Sequence, residues 1–123
     1  MEHRWGQRIS TDVAVSLVAT PATIGVGRML NVSSTGAFVQ TRLHVPLLSF
    51  VYLEPADLAV DGCVVGRIGA CVVRRCADGV GLEWCDDAAD AVERLMSAVR
   101  GKAEESALSG RQRRDPVERF SGG

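Results

Sequence analysis

The chain has almost no lysine: among its 14 basic residues only Lys102 is not an arginine. Fifteen acidic residues oppose them, for a formal net charge of −1. No molecule-wide positive field therefore exists to hold nucleic acid or an anionic membrane, and any anion site has to be local. Arginine in place of lysine suits planar, bidentate recognition of phosphate and of guanine edges, although a GC-rich genome produces the same bias. No apolar run reaches the roughly 18–20 residues that a membrane span requires. The opening Met-Glu-His-Arg-Trp-Gly-Gln-Arg lacks the apolar core of a signal peptide. No membrane insertion and a cytoplasmic location are expected.

Metal and catalytic signatures are also missing. Cys63, Cys71, Cys76 and Cys85 form no C-x-x-C pair, and neither histidine lies at ligand spacing from them. Neither a metal nor a cofactor is expected. Cys63 and Cys71 fall inside apolar, strand-like runs, where cysteine acts as a small hydrophobe, so the thiols are expected to be reduced and buried. There is no Ser-His-Asp set, no phosphate-cradling glycine loop and no carboxylate pair with a supporting base; His44, beside Pro46, reads as a loop residue. The pattern is not that of an enzyme.

What is present is enough apolar residue for one core: 46% of 123 residues, with 24% charged, the balance of a single globular domain. Residues 1–10 form a polar arm. From Asp12 to Ala19 the chain alternates, with Val13, Val15 and Leu17 on one face, which predicts a half-buried strand. Thr20-Pro21-Ala22 breaks it, and Ile24–Val32 forms a second strand in which Gly25 and Gly27 suggest a bulge or tight bend. Asn31–Gly36 reads as a turn, Ala37–Arg42 as a third strand and Leu47–Glu54 as a fourth. Cys63–Arg75 is a long β-prone stretch after the Asp61-Gly62 turn signal. Val80, Leu82 and Trp84 share one face of the last strand. Six short strands joined by turns predict an all-β-dominated, six-stranded antiparallel barrel.

The period then changes. Val92, Leu95, Met96 and Val99 recur at helical spacing. Acidic Asp86, Asp87, Asp90 and Glu93 precede basic Arg94, Arg100 and Lys102, in the order that complements a helix dipole. Asp86 or Asp87 is a candidate cap and Gly101 a candidate stop. The barrel and its C-terminal helix thus occupy 11–100, and 101–123 reads as a disordered tail.

Two motifs have the chemistry of an anion site. Arg4-x-x-x-Arg8 offers two guanidinium forks on an arm, each able to grip a phosphate oxygen pair or the O6/N7 edge of guanine; two arginines four apart also occur on plain solvated arms. In Asn31-x-Ser33-x-x-Gly36 the amide and hydroxyl can donate and accept, and Gly36 permits a backbone angle or a close approach that a Cβ forbids. The same residues can equally serve only local backbone groups.

Together, in this order, Arg-Trp-Gly-Gln-Arg and Asn-Val-Ser-Ser-Thr-Gly resemble the R-x-x-x-R arm and [D/N]-x-S-x-x-G turn of the PilZ domain family. Ala37-Phe38-Val39, Cys71-Val72-Val73-Arg74-Arg75 and Gly79-Val80-Gly81-Leu82-Glu83-Trp84 resemble its later strands, so the likeness spans about residues 3 to 100. The resemblance implies a receptor for the bacterial second messenger cyclic di-GMP, with Arg4 and Arg8 on the phosphates and a guanine, Asn31 and Ser33 on the other side, and Gly36 shaping the turn. It further implies relay of the signal to an unidentified downstream protein; the alternative is a PilZ-like adaptor that acts by protein contacts without nucleotide. Asn31 stands where the family commonly has Asp, which keeps an acceptor but loses its charge and weakens contacts to guanine N–H donors.

Overall fold

The computed structural model describes residues 8–56, 58–60 and 62–102; Arg4 and the rest of 1–7, and the tail from 103, lie outside them. The chain runs β1 (Ile9–Thr20), β2 (Thr23–Val32), β3 (Gly36–Thr41), β4 (Phe50–Pro55), β5 (Ala59–Val60), β6 (Cys63–Val64), β7 (Ile68–Arg75) and β8 (Gly79–Trp84). Six strands close an antiparallel barrel in the order β1-β2-β3-β8-β7-β4. The ring is completed where β4 pairs back onto β1, with Leu17 opposite Leu53. A short 3-10 turn, Asp86–Ala88, leads into a helix, α1, over residues 89–102.

The alternation read in the sequence is what fills the barrel. Val13, Val15 and Leu17 of β1 point inward and are buried with Met29, Val39, Val51, Leu53, Val72 and Leu82. The helix brings Val92, Leu95 and Val99 into the same cluster, with Met96 packed at its margin. Helix and barrel therefore share one core.

Several boundaries differ from the sequence reading. Ile9 and Ser10 belong to β1, paired with Val32 and Asn31, rather than to a free arm. Residues 47–49 are not in β4. Leu48 holds a left-handed backbone, φ 67, unusual for a branched residue, and its amide bonds Val72 O at 2.6 Å while Val72 N bonds Ser49 O at 2.9 Å. The segment is thus stitched to β7 by a turn. The 63–75 stretch divides into β6, which pairs only with β5 in a separate hairpin, and β7 in the barrel.

That division corrects the expectation of buried thiols: Cys63 is exposed, as is Cys76, whereas Cys71 and Cys85 are intermediate. Cys85 occupies the N-cap position of the 3-10 turn without a side-chain cap bond, so Asp86 and Asp87 supply charge in the first turn rather than a cap. Gly101 does not end the helix, which continues through 102. Gly25 and Gly27 sit in regular pairing with Leu17 and Val15; the irregularities of β2 lie elsewhere.

Candidate functional site

Those irregularities shape the outer surface. In an undisturbed strand, residue 31 would share the inward face of Met29. An extra residue at Leu30, between the pairs Met29–Val39 and Asn31–Phe38, shifts the alternation, so Val32 is buried and Asn31 turns outward. A bulge re-aims a side chain in this way. The same occurs on β7, where an extra residue at Val73, between Val72–Leu82 and Arg74–Gly81, turns Arg74 out. A third irregularity lies on β1 between Ser10 and Val13.

The result is one outward row across five strands: Ser10 opposite Asn31, Asn31 opposite Phe38, Phe38 opposite Gly81 and Gly81 opposite Arg74. Phe38 is half-buried and forms its middle. Gly81 leaves space that the Arg74 side chain covers; a Cβ there would stand 3.3 Å from Arg74 Cβ and 3.5 Å from its guanidinium. At the other end, Arg8 Nη1 donates to Asn31 Oδ1 at 2.7 Å. The structure thus brings together Arg8 and Asn31, one residue from each sequence motif.

The turn after Asn31 is closed by Ser33 N donating to Gly36 O at 2.8 Å. Ser33 is fully buried, and its hydroxyl lies 3.0 Å from Thr35 Oγ1 while accepting from the amides of Thr35 at 3.2 Å and Gly36 at 3.3 Å. The local role that the sequence left open is therefore the one Ser33 has in this structure. Gly36 is required by close approach: a Cβ would run into the Leu82 carbonyl oxygen on β8.

Sequence reasoning placed Trp84 on one face of the last strand with Val80 and Leu82 and gave it no role in the turn. In the fold its indole Nε1–H donates to Ser33 O at 2.9 Å, and its amide donates to Thr35 O at 3.0 Å. A buried indole must find an acceptor, which was the available signal; that the acceptor is this turn could not be read from spacing. Exposed Ser34 and Thr35 then face a cavity of about 360 Å³ shared with Glu83, Asp86 and the start of α1. Beside the arginine-flanked row there is thus an acidic recess. Among the described residues no group of His, Cys, Asp and Glu could hold a metal ion.

A closed six-stranded antiparallel barrel with a C-terminal helix and this turn at its rim is the architecture of a PilZ domain. The chain is similar to the crystal structure of the PilZ domain of CeSA from a cellulose-synthesizing bacterium, with a TM-score of 0.60 and 22% identity over 79% of this chain and 98% of that one. The fold is therefore the PilZ fold. No protein-family model matches the sequence, and no curated protein does.

Proposed function

We propose that the protein is a cyclic di-GMP receptor whose ligand lies along the outward row, held by Arg8 and Asn31 and completed by Arg4 of the arm. The observation that carries this reading is the 2.7 Å contact from Arg8 to Asn31, which joins the two motifs on the surface of a PilZ-fold barrel. Each guanidinium can hold a phosphate oxygen pair or a guanine edge. Arg74 adds a third fork across Phe38, and the half-buried ring offers a face for a base to stack on.

The Glu83 and Asp86 carboxylates repel phosphate but accept hydrogen bonds from guanine N1–H and N2–H donors. Ser33 contributes by holding the turn, with Gly36, so that Asn31, Ser34 and Thr35 keep their places. Ligand ordering of the arm then changes the surface offered to a downstream protein in the cytoplasm. Neither a cofactor nor a catalytic step is needed.

Calorimetric titration with cyclic di-GMP tests this, with cyclic di-AMP and GTP as controls. Arg4→Ala and Arg8→Ala should each weaken binding by roughly tenfold or more, and Arg74→Ala by less. Unchanged affinity in both of the first two variants would sink the site. The adaptor reading draws on a different observation: Leu47, Leu48, Phe50 and Val73 are all exposed on the β4–β7 side, which suits a protein contact. It gains if the pure protein fails to bind cyclic di-GMP at micromolar concentration.

A further inference from the structure

The ladder of β3 and β8 has two ends. At one, Gly36 pairs with Glu83 beside the turn just described; at the other, Gln40 pairs with Gly79. This far end opens into the larger of the two cavities described, about 660 Å³, within the range of small-molecule sites. Arg42, His44 and Arg75 line it together with Asp78, Val26 and Leu43.

The arginines of the barrel are occupied to different degrees. Arg8 bonds Asn31, Arg28 pairs with Asp12, and Arg67 pairs with Glu54 at 2.5 Å while lying over the Tyr52 ring. Among the described residues Arg42 and Arg75 have no carboxylate partner; the same holds of Arg8 and Arg74, but those two lie along the outward row, whereas Arg42 and Arg75 line one cavity. Arg75 is instead anchored by a histidine, its Nη2 lying 3.1 Å from His44 Nε2. That contact uses one nitrogen of a group with five N–H donors, so the rest of the fork is presented.

The backbone carrying Arg42 and His44 is fixed as well. Thr41 Oγ1 donates to Val26 O at 2.8 Å and accepts from Leu43 N at 3.1 Å, and Thr41 N donates to Asp78 O at 3.1 Å. Gly79 forms part of the lining because its lack of a Cβ lets β8 press against Val39 O. Two cations set in a fixed concave frame, with apolar Val26 and Leu43 beside them, match a particular chemistry.

We propose that this far end of the barrel is a second binding site, for a small molecule carrying a phosphoryl or diphosphate group, independent of the site at the Asn31 turn. Arg42 and Arg75 grip the phosphoryl oxygens, His44 is a positioning residue for Arg75, and the uncharged body of the ligand lies along Val26 and Leu43. Asp78 opposes the anion and moderates affinity.

The test follows backbone amide NMR shifts of the full chain during titration with pyrophosphate and with phenyl phosphate. Saturating shifts are expected at Gln40–His44 and Cys76–Gly79 at about millimolar concentration, the scale of a ligand fragment. Phenyl phosphate should bind more tightly than inorganic phosphate titrated in the same way as a reference, because its ring covers Val26. The Arg42→Ala/Arg75→Ala double variant should weaken binding roughly tenfold or more, Asp78→Asn should tighten it, and Arg94→Ala, which removes a charge from the exposed face of α1, should leave it unchanged. The proposal is overturned if neither probe shifts these amides, if the double variant binds as the parent does, or if an oligoglutamate peptide occupies this end where both phosphates fail.

Discussion

Gly36 and the cysteines carry the consequences that belong to single residues. Because a Cβ at 36 would run into the Leu82 carbonyl, Gly36→Ala must push β3 and β8 apart. A loss of about 1–3 kcal/mol is expected in denaturant unfolding, the usual scale of overpacking. The thiols divide by environment. Burial, then the charges of Asp87, Cys71 and Asp86, push the Cys85 thiol up, so it forms the reactive thiolate less readily. Timed alkylation near pH 8, read by mass spectrometry, should mark exposed Cys63 and Cys76 first and Cys85 last; early labelling of Cys85 would contradict its shielded setting. From the sequence, Gly36 could be there for a backbone angle or for a close approach, and only the fold decides for the second. Cys63 was misread, since an apolar run looks the same whether it enters a barrel or a small side hairpin.

At the scale of elements, the bulges at Leu30 and Val73 decide which polar groups reach the surface. They were not legible, because a bulge is a mismatch between two strands and neither strand's sequence records its partner's register. The strands themselves were legible where one face was buried, as in β1, where burial alternates through Val13, Val15 and Leu17; β8 kept its alternation of side-chain type although both of its faces are covered except at Glu83. The turn is a composite element, held from inside by Ser33 and from β8 by Trp84. Replacing Trp84 with Phe keeps the ring but removes the donor to Ser33 O, leaving a buried carbonyl unpaired. Stability should fall by about 1–3 kcal/mol, and amide exchange should accelerate at Ser33–Gly36. Exchange at parental rates in that variant would show that the turn holds itself without the indole.

For the whole molecule, one core implies one transition. Leu95 is fully buried in the cluster that the barrel strands line, so Leu95→Ala is expected to cost about 2–5 kcal/mol. Circular dichroism and tryptophan fluorescence should still report coincident unfolding. Separate transitions would mean that α1 is an accessory to a barrel stable without it. The six barrel strands and the helix were visible in the sequence because each depends on local periodicity, whereas the two-residue strands β5 and β6 are too short to show one. The ring order was not visible, since β1–β4 and β3–β8 pairing join segments far apart along the chain.

The outward row from Ser10 to Arg74 has one more consequence, which concerns time rather than affinity. Of the six barrel strands it crosses β1, β2, β3, β8 and β7, leaving out only β4. Any molecule gripping Arg8, Asn31 and Arg74 together acts as a hoop around staves: the strands cannot separate until it has let go. Protease resistance and unfolding half-life would then report occupancy of the row, lengthening as it fills even where the resting shape of the barrel stays the same.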